Sequence, residues 1–322
     1  MEETEQGTDM PDISIEQALY GFQPGRGYRL LARSPGFLDE WLAPAEHLCV
    51  GFGERPPGVV CPASVFAQPF GKRQVTVVQV ADQGVDRSGQ PNGLAFRLLL
   101  LARSDYDRLG GDPFVIADRF PPPWTVRQEL PGLSWPGDLP GRRTVEQIQN
   151  VLQRPEHGPN LLGGAQILTD GGRLVFESSR SDTELIRDLW TLLPTSARCE
   201  LWPASFAFGN VLGFHALVVP DASSDPYAGY IRGEHAGDYP EGRYELNLQI
   251  AAESGDQAEL DALFARRSLK ETWRLGLLLL GMCIILAVLA NVLIRPVAPR
   301  AKPPAPLKRN LPAAEHQKVT TD

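Results

Sequence analysis

Hydrophobic positions recur at short periods along most of this chain, until the pattern changes at Leu275. From there to Ile294 the sequence reads LGLLLLGMCIILAVLANVLI, 20 positions with no charge and one amide, Asn291. A core helix of that length carries a polar face, and this run has none. At 1.5 Å rise per residue it reaches about 30 Å, the thickness of a bilayer's hydrocarbon core. Arg274 and Arg295 bracket it, and Trp273 stands where an interfacial ring belongs. The pattern predicts one membrane-spanning helix at 275–294.

Upstream, the strongest strand signals are Gln74–Val80, β-branched and apolar, and Leu94–Leu101, almost continuously apolar. The polar, glycine-containing stretch 82–92 between them predicts an antiparallel pair joined by a long loop. Ser14-Ile-Glu-Gln17 has the form of a capping box and predicts a short helix through Tyr20. Pro24 and three glycines make Gly21–Gly27 a turn, followed by a strand at Tyr28–Arg33. Helices are expected at Leu38–His47 and from Ser104 to Leu109.

A second set of elements starts with a helix at Thr144–Leu152. Ala165–Thr169 and Arg173–Phe176 flank Asp170-Gly171-Gly172, the signature of a β-hairpin. Ser181-Asp-Thr-Glu184 predicts a capped helix bearing Leu185, Ile186, Leu189, Trp190 and Leu193 and stopped by Pro194. Strands are expected at Cys199–Phe208, Leu212–Val219 and Tyr244–Ile250, then a helix over Asp256–Trp273 running into the span. Between the two sets, 119–142 holds six prolines around Trp124 and Trp135. The expected architecture is α+β: two mixed α/β modules with antiparallel sheet (13–118 and 143–255) and a proline-rich linker (119–142). A disordered acidic start (1–12), a juxtamembrane helix (256–274), the span (275–294) and a basic, proline-rich disordered tail (295–322) complete it.

Composition agrees with a folded protein, at 43% hydrophobic and 22% charged residues. Charge is unevenly placed. The total is −8 and the tail carries six basic against two acidic residues, leaving −12 on residues 1–274. So acidic a globular part argues against sequence-independent nucleic-acid binding, which needs a basic face. The opening MEETEQGTDMPD has no apolar core of a secretory signal, so the N-terminal bulk is expected in the cytoplasm and the short tail on the opposite side. Flanking charges barely decide, with Arg266, Arg267, Lys270 and Arg274 before the span against Arg295, Arg300, Lys302, Lys308 and Arg309 after it. Cys49, Cys61, Cys199 and Cys283 lack metal-site or disulfide spacing and are expected to be reduced.

No catalytic, cofactor-binding or metal-binding residue is assigned from motifs. Gly51–Gly58 lacks the third glycine of a dinucleotide fingerprint, and Gly71-Lys72-Arg73 lacks the Ser or Thr of a phosphate-binding loop. Asp82–Gly89 has oxygen ligands out of calcium-loop register. The five histidines are scattered singly, with His215 expected as a hydrogen-bonded sheet residue and His235 in a loop with Glu234 and Asp238. Trp190, Trp202, Phe206 and Phe208 suit core packing better than base stacking. Within the span, Cys283, Ala287 and Asn291 form one stripe that offers a homo-oligomer contact.

Glu16-Gln-Ala-Leu-Tyr-Gly-Phe22, then Gly25 and Tyr28-Arg-Leu-Leu-Ala-Arg-Ser-Pro-Gly36, resembles the N-terminal domain of GTPase-associated proteins of bacterial conflict systems. Gly89–Leu101 resembles the family's later hairpin, and Leu192–Arg198 the start of its middle region. Arg26-Gly27-Tyr28 stands where the family has a histidine after the glycine, and the apolar run replaces its long C-terminal region. The resemblance implies an adaptor-like module with a protein partner in a GTPase-containing defence or signalling system. The function expected is a membrane-anchored cytosolic interaction or scaffold protein contacting the lipid bilayer through 275–294. The alternative is a membrane-tethered enzyme with an active site between the modules. A cleft of convergent polar side chains favours the enzyme, an exposed apolar or acidic patch the adaptor.

Overall fold

In the computed structural model, residues 12–293 are described, except 57–58, 60–62, 85–92, 125–128, 137–138, 156, 224 and 266–268. Side chains within the last helix are described at 276–287 and 289. The strands are β1 (Ile13–Gln23), β2 (Gly27–Arg33), β3 (Ser64–Phe70), β4 (Gln74–Asp82), β5 (Leu94–Ala102), β6 (Leu133–Trp135), β7 (Leu174–Glu177), β8 (Pro203–Ala204), β9 (Ala216–Val219) and β10 (Ile231–Arg232). The helices are α1 (Leu42–Gly51), α2 (Arg103–Arg108), α3 (Pro113–Arg119), α4 (Val145–Leu152), α5 (Gly158–Thr169), α6 (Thr183–Leu192), α7 (Thr195–Glu200), α8 (Arg243–Ser254), α9 (Gln257–Phe264) and α10 (Leu269–Leu293).

Among the described residues all ten strands join one sheet, in the order β10-β7-β9-β8-β3-β4-β5-β1-β2, with β6 paired to β1. The fold is α+β with a mixed sheet. Its first half is antiparallel, as the apolar runs predicted, with Gln74 opposite Ala102 at one end of the β4–β5 ladder and Asp82 opposite Leu94 at the other. The second half is parallel, which corrects the expectation of antiparallel pairing there: β7 runs parallel to β10 and β9, and β9 to β8. Parallel neighbours need crossovers: α6 and α7 lie between β7 and β9, while 205–215 joins β8 to β9 without a helix. α5 packs on β7, α6 on β9, and α4, α8 and α9 build outward from these.

The two halves meet where Phe66 of β3 pairs with Ala204 of β8. Ser205 Oγ accepts from the Val65 amide at 2.9 Å, and Ser64 Oγ donates to the Phe206 carbonyl at 2.9 Å. Residues up to Glu271 form one compact unit, which includes both of the expected modules 13–118 and 143–255. The described residues of the proline-rich segment pack as part of that unit. Gln17 Nε2 donates to the Pro131 carbonyl at 2.7 Å, Gln79 Nε2 to the Phe120 carbonyl at 3.2 Å, and β6 sets Trp135 opposite Ile13. At the centre lies buried Arg97 of β5. It donates to Gln17 Oε1 at 2.7 Å, to Gln79 Oε1 at 3.1 Å and to the Phe120 carbonyl at 2.5 Å. Burial lowers its pKa to about 10, because two amides and a carbonyl offset only part of the lost hydration.

Several local expectations are overturned. Residues 14–20 form β1 rather than a helix, because β2 and β5 pair with both its edges and Gln17 serves Arg97 instead of a helix end. The turn after it therefore closes a hairpin, with Gly25 at φ +73° and Gly27 at φ +72°. Ala165–Thr169 is the end of α5, and Asp170-Gly171-Gly172 is its C-terminal cap rather than a hairpin loop. Gly171 N–H bonds to the Leu168 carbonyl and Gly172 N–H to the Ile167 carbonyl, the paired bonds of a Schellman motif. Tyr244–Ile250 lies in α8, which buries Tyr244, Leu248, Ala251 and Ala252 at helical spacing. Cys199–Phe208 holds the end of α7 and then only the short β8. The expected continuous helix over 256–273 is α9, capped by Asp256, and the start of α10, with 266–268 between them outside the described residues.

The second unit, from Thr272 onward, is described only as α10. The consecutive Leu277, Leu278, Leu279 and Leu280 each leave more than half their surface exposed, as do Ile284, Ile285 and Leu286. At about 100° per residue, consecutive exposed positions cover every side of a helix. Among the described residues no helix is long and apolar enough to cross a membrane. The expected span 275–294 includes positions outside them, as do the acidic start 1–11 and the basic tail 295–322.

Candidate functional site

Six arginines (Arg108, Arg142, Arg143, Arg154, Arg187, Arg198) and three aspartates (Asp112, Asp188, Asp261) line an open-sided cleft of about 610 Å³. The cleft lies within the first unit, bounded by the α2–α3 turn, the segment leading into α4, and α4, α6, α7 and α9. Two other cavities, of about 350 and about 620 Å³, are lined by more acidic than basic side chains. In a globular part carrying −12, six guanidiniums on one concave surface concentrate positive potential locally.

Backbone geometry fixes the floor. The α2–α3 turn runs through Gly110 at φ +72° and Gly111 at φ +64°. A Cβ on Gly111 would stand 2.6 Å from the Arg198 carbonyl carbon and 2.6 Å from the Cys199 nitrogen, so only glycine lets this turn lie against α7. The Gly111 carbonyl accepts from Trp190 Nε1 at 2.9 Å and from the Tyr106 hydroxyl at 3.1 Å, which anchors the turn to α6 and α2. Next in the chain, Asp112 caps α3. Its Oδ1 accepts from the Phe114 and Val115 amides at 2.9 and 3.2 Å. Its Oδ2 takes the Arg198 guanidinium in a short, buried ion pair. Arg198 Nε is buried with no hydrogen-bond partner among the described residues.

Arg143 closes the other side of the floor. Its Nη1 donates to the Thr191 carbonyl at 2.9 Å and the Leu193 carbonyl at 2.5 Å, and its Nη2 to Thr195 Oγ1 at 3.1 Å. The Tyr244 hydroxyl donates to the intervening Leu192 carbonyl. A cation and a phenol thus satisfy carbonyls at the end of α6, where the helix dipole favours positive charge. Burial, and then the neighbouring Arg198, lower the Arg143 pKa to about 9.

At the rim each arginine meets a carboxylate. Arg142 pairs with Asp261, Arg154 with Asp188 at 2.6 Å and Glu184 at 2.9 Å, and Arg187 with both oxygens of Asp118 at 2.7 and 3.0 Å. Burial raises the Asp188 pKa despite its partner Arg154. The exposed pairs, Arg142–Asp261 and Arg187–Asp118, hold little energy, about 0–1 kcal/mol each, and exchange readily for a better anion.

Residues singled out by sequence lie elsewhere. His215 Nδ1 accepts from the Trp202 amide at 3.1 Å, and burial lowers its pKa to about 4, so it is a neutral structural acceptor. His235 is exposed, with Nε2 3.6 Å from Glu234. Burial pushes the Cys199 thiol up to about 12 and the Cys49 thiol well above its ordinary value, so neither is a ready nucleophile. Trp190 and Phe206 are buried in the core. Gly71 turns the β3–β4 hairpin at φ +64°. Asp82 pairs with Arg55 at 2.9 Å, while 85–92 of that loop, Cys61, and Gly58 of the early glycine-rich stretch lie outside the described residues. Cys283 and Ala287 are exposed on α10, and the Asn291 side chain lies outside the described residues.

The cleft arginines escaped motif reasoning because they come from five separate segments. One signal was present. Arg142 and Arg143 immediately precede the α4 cap, Thr144, where the helix dipole disfavours cations, so another role must hold them there. Compared with protein-family models and with curated proteins, the chain matches none.

Proposed function

We propose that this protein is a membrane-anchored recognition module whose arginine-lined cleft receives an anionic group presented by a ligand or partner. The observation that carries the reading is the convergence of six arginines on one cleft of a strongly acidic globular part. Anchoring rests on the apolar run 275–294 and on the all-round exposure of the apolar side chains described between Leu277 and Leu289 of α10. The membrane places the module and the cleft selects what is held there. A GTPase-containing bacterial defence or signalling system is the setting that the resemblance of 16–36 implies, with the bulk on the cytoplasmic side.

The cleft is also where a membrane-tethered enzyme would work. Recognition is favoured over catalysis by the state of its acids: Asp112, Asp188 and Asp261 each already hold an arginine. An acid committed to an ion pair, or to capping a helix as Asp112 is, makes a poor proton shuttle.

Calorimetric titration of citrate and of pyrophosphate into the detergent-solubilised full chain tests the reading. Binding of at least one, weakened about tenfold or more by Arg187→Glu, is expected. Binding of neither, or binding that Arg187→Glu leaves unchanged, refutes it.

A further inference from the structure

We propose that the floor of the cleft, formed by Arg143, Thr195 and Arg198, is a site for the phosphate group of a phosphorylated ligand. This rests on the recognition reading above and narrows it to a ligand class. Thr195 and Arg198 stand one turn apart on α7 and so share a face, and Arg143 is bound to Thr195 at 3.1 Å. All three line the cleft.

Charge and donor accounting favour phosphate over carboxylate. Two guanidiniums stand at the floor, and Asp112 supplies the carboxylate that faces Arg198. Arg143 takes two backbone carbonyls and one hydroxyl instead, and among the described residues no carboxylate is paired with it. Donors are also in surplus. Arg198 Nε is buried without a partner, and the Thr195 hydroxyl accepts from Arg143 while its own proton has no acceptor among the described residues. A phosphate monoester brings close to two negative charges and three acceptor oxygens in tetrahedral array, matching two guanidinium planes and one hydroxyl. A carboxylate brings one charge and a planar pair of oxygens, which Asp112 already provides. Apolar Val115 and Leu139 also line the cleft and suit the carbon part of an ester better than a free inorganic ion.

The test uses the full chain in detergent with phenyl phosphate and benzoate as probes, read by calorimetry and, for phenyl phosphate, by ³¹P chemical shift. Phenyl phosphate is expected to bind at least tenfold tighter than benzoate. Thr195→Val keeps the side-chain shape and removes the donor, and should weaken phenyl phosphate about tenfold with benzoate unaffected. Arg143→Lys keeps the charge and loses the planar fork, and should weaken it by a similar factor. Thermal unfolding of each variant without ligand separates a binding loss from a folding loss. Benzoate binding as tightly as phenyl phosphate overturns the phosphate assignment and leaves the anion-recognition reading standing. So does phenyl phosphate binding that neither substitution changes in variants that fold. Failure of both probes while citrate still binds again refutes the floor alone, and failure of every anion removes both claims.

Discussion

The Arg143 guanidinium lies 3.6 Å from the centre of the Phe264 ring while its Nη1 holds the Thr191 and Leu193 carbonyls. One side chain thus ties the end of α6 to α9 and forms part of the cleft wall. Arg143→Ala leaves carbonyls short of a donor and the ring uncovered. It is expected to lower stability by about 2–4 kcal/mol, since hydrogen bonds from charged donors contribute about 1.5–3 kcal/mol. Denaturant unfolding of the detergent-solubilised chain measures this. A loss below about 0.5 kcal/mol would place the arginine outside the fold's support.

Gly111→Ala should damage the protein far more than Gly25→Ala, although both glycines have positive φ. At Gly25 a Cβ meets nothing within 4 Å, so the change carries only left-handed backbone strain of about 1–2 kcal/mol. At Gly111 it collides with the α7 backbone at 2.6 Å. Thermal midpoints compare the two, and an equal drop would mean that the α2–α3 turn does not press on α7.

Much of the fold was legible before the structure, and the exceptions have physical causes. β4 and β5 are buried along nearly their whole length, and their apolar runs say so. α4 matches the helix expected at Thr144–Leu152, and the structure adds that Thr144 and Gln147 form a capping box at its start. β1 carries the same capping-box letters, yet its hydrogen-bond partner β5 lies some 80 residues away, beyond the reach of local pattern. α5 was hidden by its own glycines. A Cβ on Gly163 would stand 2.0 Å from the Ala236 carbonyl oxygen, so packing demands a residue that weakens the helix signal. α8 shows Tyr244, Leu246, Leu248 and Ile250 at every second position, a strand pattern, but Leu246 and Ile250 stay exposed and only the helical subset is buried. The cleft was illegible for the reason β1 was, since its residues converge only after the sheet has formed.

His215 gives a pH test with a defined sign. Its folded pKa of about 4 lies below the ordinary value of 6.5 because burial disfavours the charged ring, with Arg173 adding to the effect. Between these values the unfolded chain binds the proton and the folded chain does not, so stability falls as pH drops from 6.5 toward 4. His215→Gln should flatten the unfolding midpoint across that window. An unchanged slope would show that His215 is not buried in its neutral form.

Deleting residues 270–322 should release a folded, monodisperse protein without detergent, because the compact unit ends at Glu271 and its core is built from residues before Leu269. The expected readout is one cooperative unfolding transition. Aggregation without detergent would show that the first unit depends on α10.

The central claim, that the arginine cleft receives an anion, is tested most directly by amide hydrogen exchange on the full chain with and without pyrophosphate. Protection is predicted to concentrate in 108–115, 139–147 and 187–198, the segments that bring the arginines together. Protection confined to other segments, or none at saturating pyrophosphate, would contradict it.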